Sequence, residues 1–127
     1  MKEVSQTIKY KDKEYKMVFN LNVMQEIQEE YGSLQKWGEL TDGNPREVKN
    51  GKKTEIVRDE PNIKALIFGL AAMINEGIEI DNDENKTSDP ALSLKAVGRI
   101  LTDVGIENVT DDMNNLVIDS TKTDEKN

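Results

Sequence analysis

The stretch PNIKALIFGLAAMINEG, Pro61 to Gly77, is the only long apolar run in an otherwise polar chain of 127 residues. Within it Ile63, Leu66, Ile67, Leu70 and Ile74 recur at the three- and four-residue spacing of one helical face. Ala65, Phe68, Ala71, Ala72 and Met73 widen that face beyond what one partner helix covers. Pro61 suits a helix start, where a missing N–H costs nothing, and Gly77 suits a left-handed stop. Each buried aliphatic side chain contributes roughly 1.5–3 kcal/mol, so this segment is read as a core helix around which smaller elements fold.

Outward toward the N-terminus, residues 4–19 alternate in the manner of a β-hairpin: Ile8 and Tyr10 on one arm, Tyr15, Met17 and Phe19 on the other. The linking Lys11-Asp12-Lys13-Glu14 has no glycine, which leaves the turn type open. A lone hairpin is marginal in water, so its Tyr15–Met17–Phe19 face requires a helical partner. Asn20 is placed to cap a helix from Leu21 to Tyr31 with Leu21, Met24, Ile27 and Tyr31 on its apolar face. Gly32 stops that helix, and Ser33 caps a short turn carrying Leu34 and Trp37.

Residues 40–60 are the least globular part. Asn50-Gly51 between Val48 and Ile56 is a hairpin signal, but the charged flanks bury little, so a small exposed hairpin and a mobile loop both remain open. Beyond the core helix, the acidic IEIDNDENKTSDP reads as a connection between helices. A further helix is expected from Pro90 to Val104, closed by Gly105, and a last one capped by Thr110 with Asp111 and Asp112 in its first turn. Gly69 and Gly98, each costing about 1 kcal/mol inside a helix, suggest that the core helix and its successor cross at these two residues. The fold class is α+β and mostly α: an N-terminal β-hairpin, then a compact bundle of about four to five helices in one domain over residues 1–120. A frayed, disordered tail is expected at 121–127.

The composition excludes much chemistry. With no cysteine and no histidine, the chain has no thiolate, no imidazole base, no disulfide and no Cys/His zinc site. Its net charge of −8 is uneven: residues 1–75 hold 12 Lys/Arg against 12 Asp/Glu, residues 76–127 hold 5 against 13. Such a surface disfavours nucleic acid, and the basic-aromatic group Tyr10, Lys11, Lys13, Tyr15, Lys16 is nearly cancelled by Asp12 and Glu14. No apolar run approaches the length of a membrane span, and the N-terminus lacks a signal-peptide core, so export by that route is not expected. Asp81, Asp83 and Asn85 match the start of a calcium loop, but Lys86 occupies the glycine position and Leu92 the final ligand position. A metal-dependent hydrolase on Asp81, Asp83 and Glu84 therefore ranks last. Neighbouring carboxylates such as Glu29/Glu30 and Asp111/Asp112 point apart on a helix and read as solvated faces.

Several strings are familiar together: Tyr15-Lys16-Met17-Val18-Phe19-Asn20-Leu21-Asn22, Met24 to Ser33 (MQEIQEEYGS), Lys64 to Leu70 (KALIFGL) and Val97-Gly98-Arg99-Ile100-Leu101. Over most of residues 5–120 the chain resembles the tail assembly chaperones of long-tailed phages and prophages of low-GC Gram-positive bacteria, with 40–60 as a variable insertion. The resemblance implies a non-enzymatic protein without cofactors, acting in the host cytoplasm and absent from the mature virion. Its implied partners are the tape measure protein and the tail tube protein, with self-association also open, and a longer frameshifted form is implied for many members. Tyr31, Trp37, Phe68 and Met113 are the candidate protein-interface residues, large side chains of the kind that anchor interfaces, although Trp37 reads as core or satellite packing ahead of a binding anchor. The alternative reading is a structural tail component, a tube or terminator protein.

Overall fold

The computed structural model describes residues 1, 4–43, 45–58 and 60–122. Its order is β1 (Val4–Tyr10), β2 (Lys13–Phe19), α1 (Leu21–Tyr31), α2 (Leu34–Asp42), β3 (Pro45–Asn50), β4 (Lys53–Arg58), α3 (Ile63–Asn85), α4 (Leu94–Val104) and α5 (Ile106–Thr121). This is the α+β, mostly helical architecture expected, an N-terminal antiparallel hairpin followed by five helices.

In the first hairpin Ile8 lies opposite Tyr15 and Val4 opposite Phe19, and the turn is Lys11-Asp12, with Lys11 in the left-handed region at φ 57°. Met17 and Phe19 are fully buried, as the alternation requires. Val18, expected on the polar face, is fully buried too, so the end of β2 is covered on both sides. Asn20 caps α1, its side-chain oxygen accepting from Val23 N–H at 3.2 Å. The buried residues of α1 are Val23 and Ile27, whereas Leu21 is 67% exposed. The helix is thus rotated from the expected face, because Val23 rather than Leu21 meets the core. Gly32 ends α1 at φ 92°, and Ser33 caps α2 by accepting from Lys36 N–H at 3.0 Å. The short turn expected there is a nine-residue helix.

Residues 45–58 form the small hairpin and not the loop. Asn50 pairs with Lys53, so Gly51 and Lys52 make the turn, one residue later than Asn50-Gly51. Gly51 has φ 67° while Lys52 does not share it, which is the type II′ pattern with glycine first. This hairpin makes at most glancing contact with the other elements. Its base is closed by Asn62 N–H donating to Leu40 O at 2.8 Å.

The core helix α3 departs from expectation at both ends. Asn62 is the N-cap, accepting from Ala65 N–H at 3.0 Å, so Pro61 precedes the helix instead of opening it. Gly77 does not stop it. The helix continues through the acidic segment to Asn85 and ends on Lys86 at φ 56°. Asp81, Asp83 and Asn85 are therefore helical, and the connection proper is only 86–93. That connection is fastened to α3 by side-chain amides: Asn75 exchanges two hydrogen bonds with the backbone of Leu92 (2.8 and 3.2 Å). Asn82 binds Thr87 and both backbone groups of Asp89.

The reason Gly77 sits inside a helix is steric: a Cβ there would overlap the carbonyl oxygen of Lys16. Its absence lets α3 lie directly on strand β2. Gly69 serves α2 in the same way, since a Cβ would run into the indole of Trp37, whose Nε1 donates to Ala65 O at 2.9 Å. Gly98 is different: a Cβ would meet Ile67 Cδ1 at an ordinary 3.5 Å. So α3 and α4 do pack together, but Gly69 faces α2, and the expected Gly69–Gly98 crossing does not occur.

Ser93 caps α4, accepting from Ala96 N–H at 3.1 Å, which starts the helix at Leu94 rather than at Pro90. Val97, Ile100 and Leu101 are buried, while Leu94 is exposed. α5 begins immediately after Gly105, so Thr110 is an interior residue and Glu107, not Asp111 or Asp112, occupies the first turn. The helix reaches Thr121 with Ser120 fully buried; of the tail expected at 121–127, residues 123–127 lie outside the described residues.

The helical glycines Gly69, Gly77 and Gly98 give opposite expectations in a denaturant unfolding series. Gly69→Ala and Gly77→Ala are expected to destabilise by about 1–3 kcal/mol through overpacking, Gly77→Ala the more because a backbone carbonyl does not swing aside. Gly98→Ala is expected to stabilise by about 0.5–1 kcal/mol through helix propensity. Equal effects at all three positions would contradict this packing.

Candidate functional site

Of the four candidate interface residues, two are core. Trp37 is 2% exposed and Met113 1%, so in this conformation neither offers surface to a partner. Tyr31 and Phe68 are half-buried and engage each other edge-to-face, ring centroids 5.5 Å apart at 78°. The four do not converge on one patch. Two uncovered surfaces lie elsewhere, along α3.

The first is an apolar groove of about 1060 Å³ where the start of α3 meets β1, α4 and the start of α5. Tyr10, Ile63, Ile67, Leu101 and Ile106 line it, with Lys95, Arg99, Thr102 and Asp103 also bordering it. Ile63 is 45% exposed and Ile106 40%, although both are large aliphatics. The cause is the breadth of α3: its buried residues run along Leu66, Leu70, Met73 and Ile74, which leaves Ile63 exposed and Ile67, beside α4, only partly covered. Gly98, with no side chain, keeps the groove open on the α4 side.

The second is an acidic cleft of about 300 Å³ between α1 and α3. Glu26 and Glu29 come from α1, Glu76 and Glu79 from α3, with Val23 and Ala72 between them. Ala72 contributes only a methyl group, which leaves the space. Glu76 is 8% exposed, and its Oε2 is buried with no hydrogen-bond partner. Burial pushes the Glu26 carboxyl above the usual carboxylate range, with repulsion from Glu76, Glu79 and Glu29 adding to it. The matching i, i+3 spacing of Glu26/Glu29 and Glu76/Glu79 is visible in the sequence. Reading Gly77 as a helix end hid it.

Asp81 pairs with Lys16 Nζ at 3.1 Å. Among the described residues no three carboxylates stand close enough together to hold a metal ion. No described helix is long and apolar enough to cross a membrane. What the two surfaces can do is bind: one apolar segments, the other cations. Comparison with protein families, with characterised proteins and with solved structures yields no match.

A carboxyl whose folded pKa lies above its unfolded value binds more protons when folded. Its stabilising contribution is full below the ordinary value near 4.5 and is lost as pH rises through the folded value. Glu26→Gln is therefore expected to raise the thermal midpoint at pH 7, with the gain shrinking to nothing toward about pH 4. A gain that is constant across that range would refute burial and like-charge repulsion of the Glu26 carboxylate as its cause.

Proposed function

We propose that this chain is a non-enzymatic tail assembly chaperone of a long-tailed phage or prophage. In this reading it holds the tape measure and tail tube proteins during tail morphogenesis in the host cytoplasm and is absent from the finished virion. The resemblance of the hairpin–α1 junction, the KALIFGL segment and VGRIL to that family is one support. The observation that carries the reading is the groove: a strip with two exposed isoleucines on a small domain of net charge −8. An apolar strip on an acidic body suits a protein that shields an aggregation-prone client while remaining dispersed itself. The projecting hairpin, with Ile56 74% exposed and Val48 and Val57 each 37% exposed, offers a second apolar contact. The alternative, a structural tail component, has no specific observation in its favour.

Coexpression with the tape measure and tail tube proteins encoded beside it tests the reading. The expected result is copurification with at least one of them and a rise in its soluble yield. The double variant Ile63→Glu/Ile106→Glu alters exposed positions, where substitutions usually cost within about 0.5 kcal/mol each. It is expected to lower that yield at least about fivefold, equivalent to ~1 kcal/mol of client binding. Recovery of the protein in purified virions would favour the structural alternative instead.

A further inference from the structure

The acidic cleft has an occupant of definite chemistry. We infer that the space between α1 and α3 is a socket for an arginine side chain of a protein partner, with Glu76 as its fixed anion. Three observations carry this. Glu76 is more than nine-tenths buried, lines the cleft, and has a carboxylate oxygen with no hydrogen-bond partner among the described residues. A buried carboxylate oxygen without a donor is costly, and a guanidinium donating to the same carboxylate from the cleft offsets part of that cost. The lining also contains three further carboxylates and no lysine or arginine, so the chain supplies no cation of its own from the walls of the cleft.

The shape of the cluster selects among cations. A hard metal ion requires six or more oxygens converging at 2.0–2.6 Å, and among the described residues no three carboxylates are gathered that closely. A guanidinium spreads five donors over a planar fork several ångströms wide and bridges carboxylates that stand apart. Two of the three amide side chains in the lining are already engaged: Gln25 donates to Glu29 at 3.1 Å, and Asn75 is bound to Leu92. The anionic acceptors left are the carboxylates of Glu26, Glu76 and Glu79. The raised Glu26 carboxyl is the electrostatic counterpart of the same crowding. The socket stands apart from the tail-assembly reading, since it names the chemistry of one contact and not the protein that makes it.

The test is an NMR titration of the isotope-labelled full chain with acetyl-Gly-Arg-Gly-amide. The same peptide with citrulline in place of arginine serves as the uncharged isostere. Saturable shifts are expected at the backbone amides of Val23, Glu26, Ala72 and Glu76. The citrulline peptide is expected to bind at least about tenfold more weakly, the loss of one charge-assisted hydrogen bond. Glu76→Gln, which keeps the side-chain shape, is expected to weaken the arginine peptide by the same factor. The double variant Glu26→Gln/Glu79→Gln, at exposed positions, is expected to weaken it at least about threefold and tests the socket independently of whether Glu76→Gln folds. Equal binding of the two peptides, or shifts scattered over the acidic surface instead of the cleft, would overturn the socket. So would saturation of the same amides by Ca²⁺ or Mg²⁺ without peptide, which reassigns the cleft to a metal.

Discussion

Everything in this molecule depends on how closely helix α3 lies against strand β2. The contact is backbone to backbone at Gly77, where the Lys16 carbonyl occupies the place a side chain would take. A helix that sits this low on a two-stranded hairpin closes over its Ile8, Met17 and Phe19 side chains, so a sheet too small to be stable alone shares one core with the helix. About two turns earlier in the same helix, Gly69 admits the Trp37 indole, whose N–H finds Ala65 O inside the core. Two missing side chains thus set the positions of β2 and α2, and α1, between them in the chain, follows.

The same helix explains both uncovered surfaces. α3 is apolar around much of its circumference at its start, and its neighbours cover only the part that runs through Leu66, Leu70, Met73 and Ile74. The remainder becomes the groove at Ile63 and Ile67. Toward its acidic end α3 instead carries Glu76 and Glu79 beside the glutamates of α1, with Ala72 too small to fill the gap. An apolar and an anionic surface therefore share one rigid element. Strain imposed at either is borne by the same helix.

The local rules were legible where one residue type has one job. Asn20, Gly32, Ser33 and Gly105 marked helix boundaries correctly because capping and left-handed φ depend on a residue and its immediate neighbours. Gly77 misled for the opposite reason. Glycine signals either a left-handed stop or a close approach, and only the distant Lys16 decides between them. That one ambiguity truncated α3, turned its last turns into a loop, and concealed the Glu76–Glu79 half of the acidic cleft. Thr110 misled likewise, since Gly105 both ends α4 and directly precedes α5. The interface residues were chosen for size, and size in a small domain more often means core: Trp37 and Met113 are where the volume was needed.

The hairpin β3–β4 leaves the body and returns to nearly the same point, with Leu40 O and Asn62 N–H hydrogen-bonded across its base. To the remainder of the chain, α2 leads to α3 as though the excursion were absent. Its strands run side by side, so any replacement need only present two ends about 4.8 Å apart. The domain is in this sense a mount with one exchangeable fitting. The length and chemistry of that fitting are free to vary without any adjustment of the core that carries it.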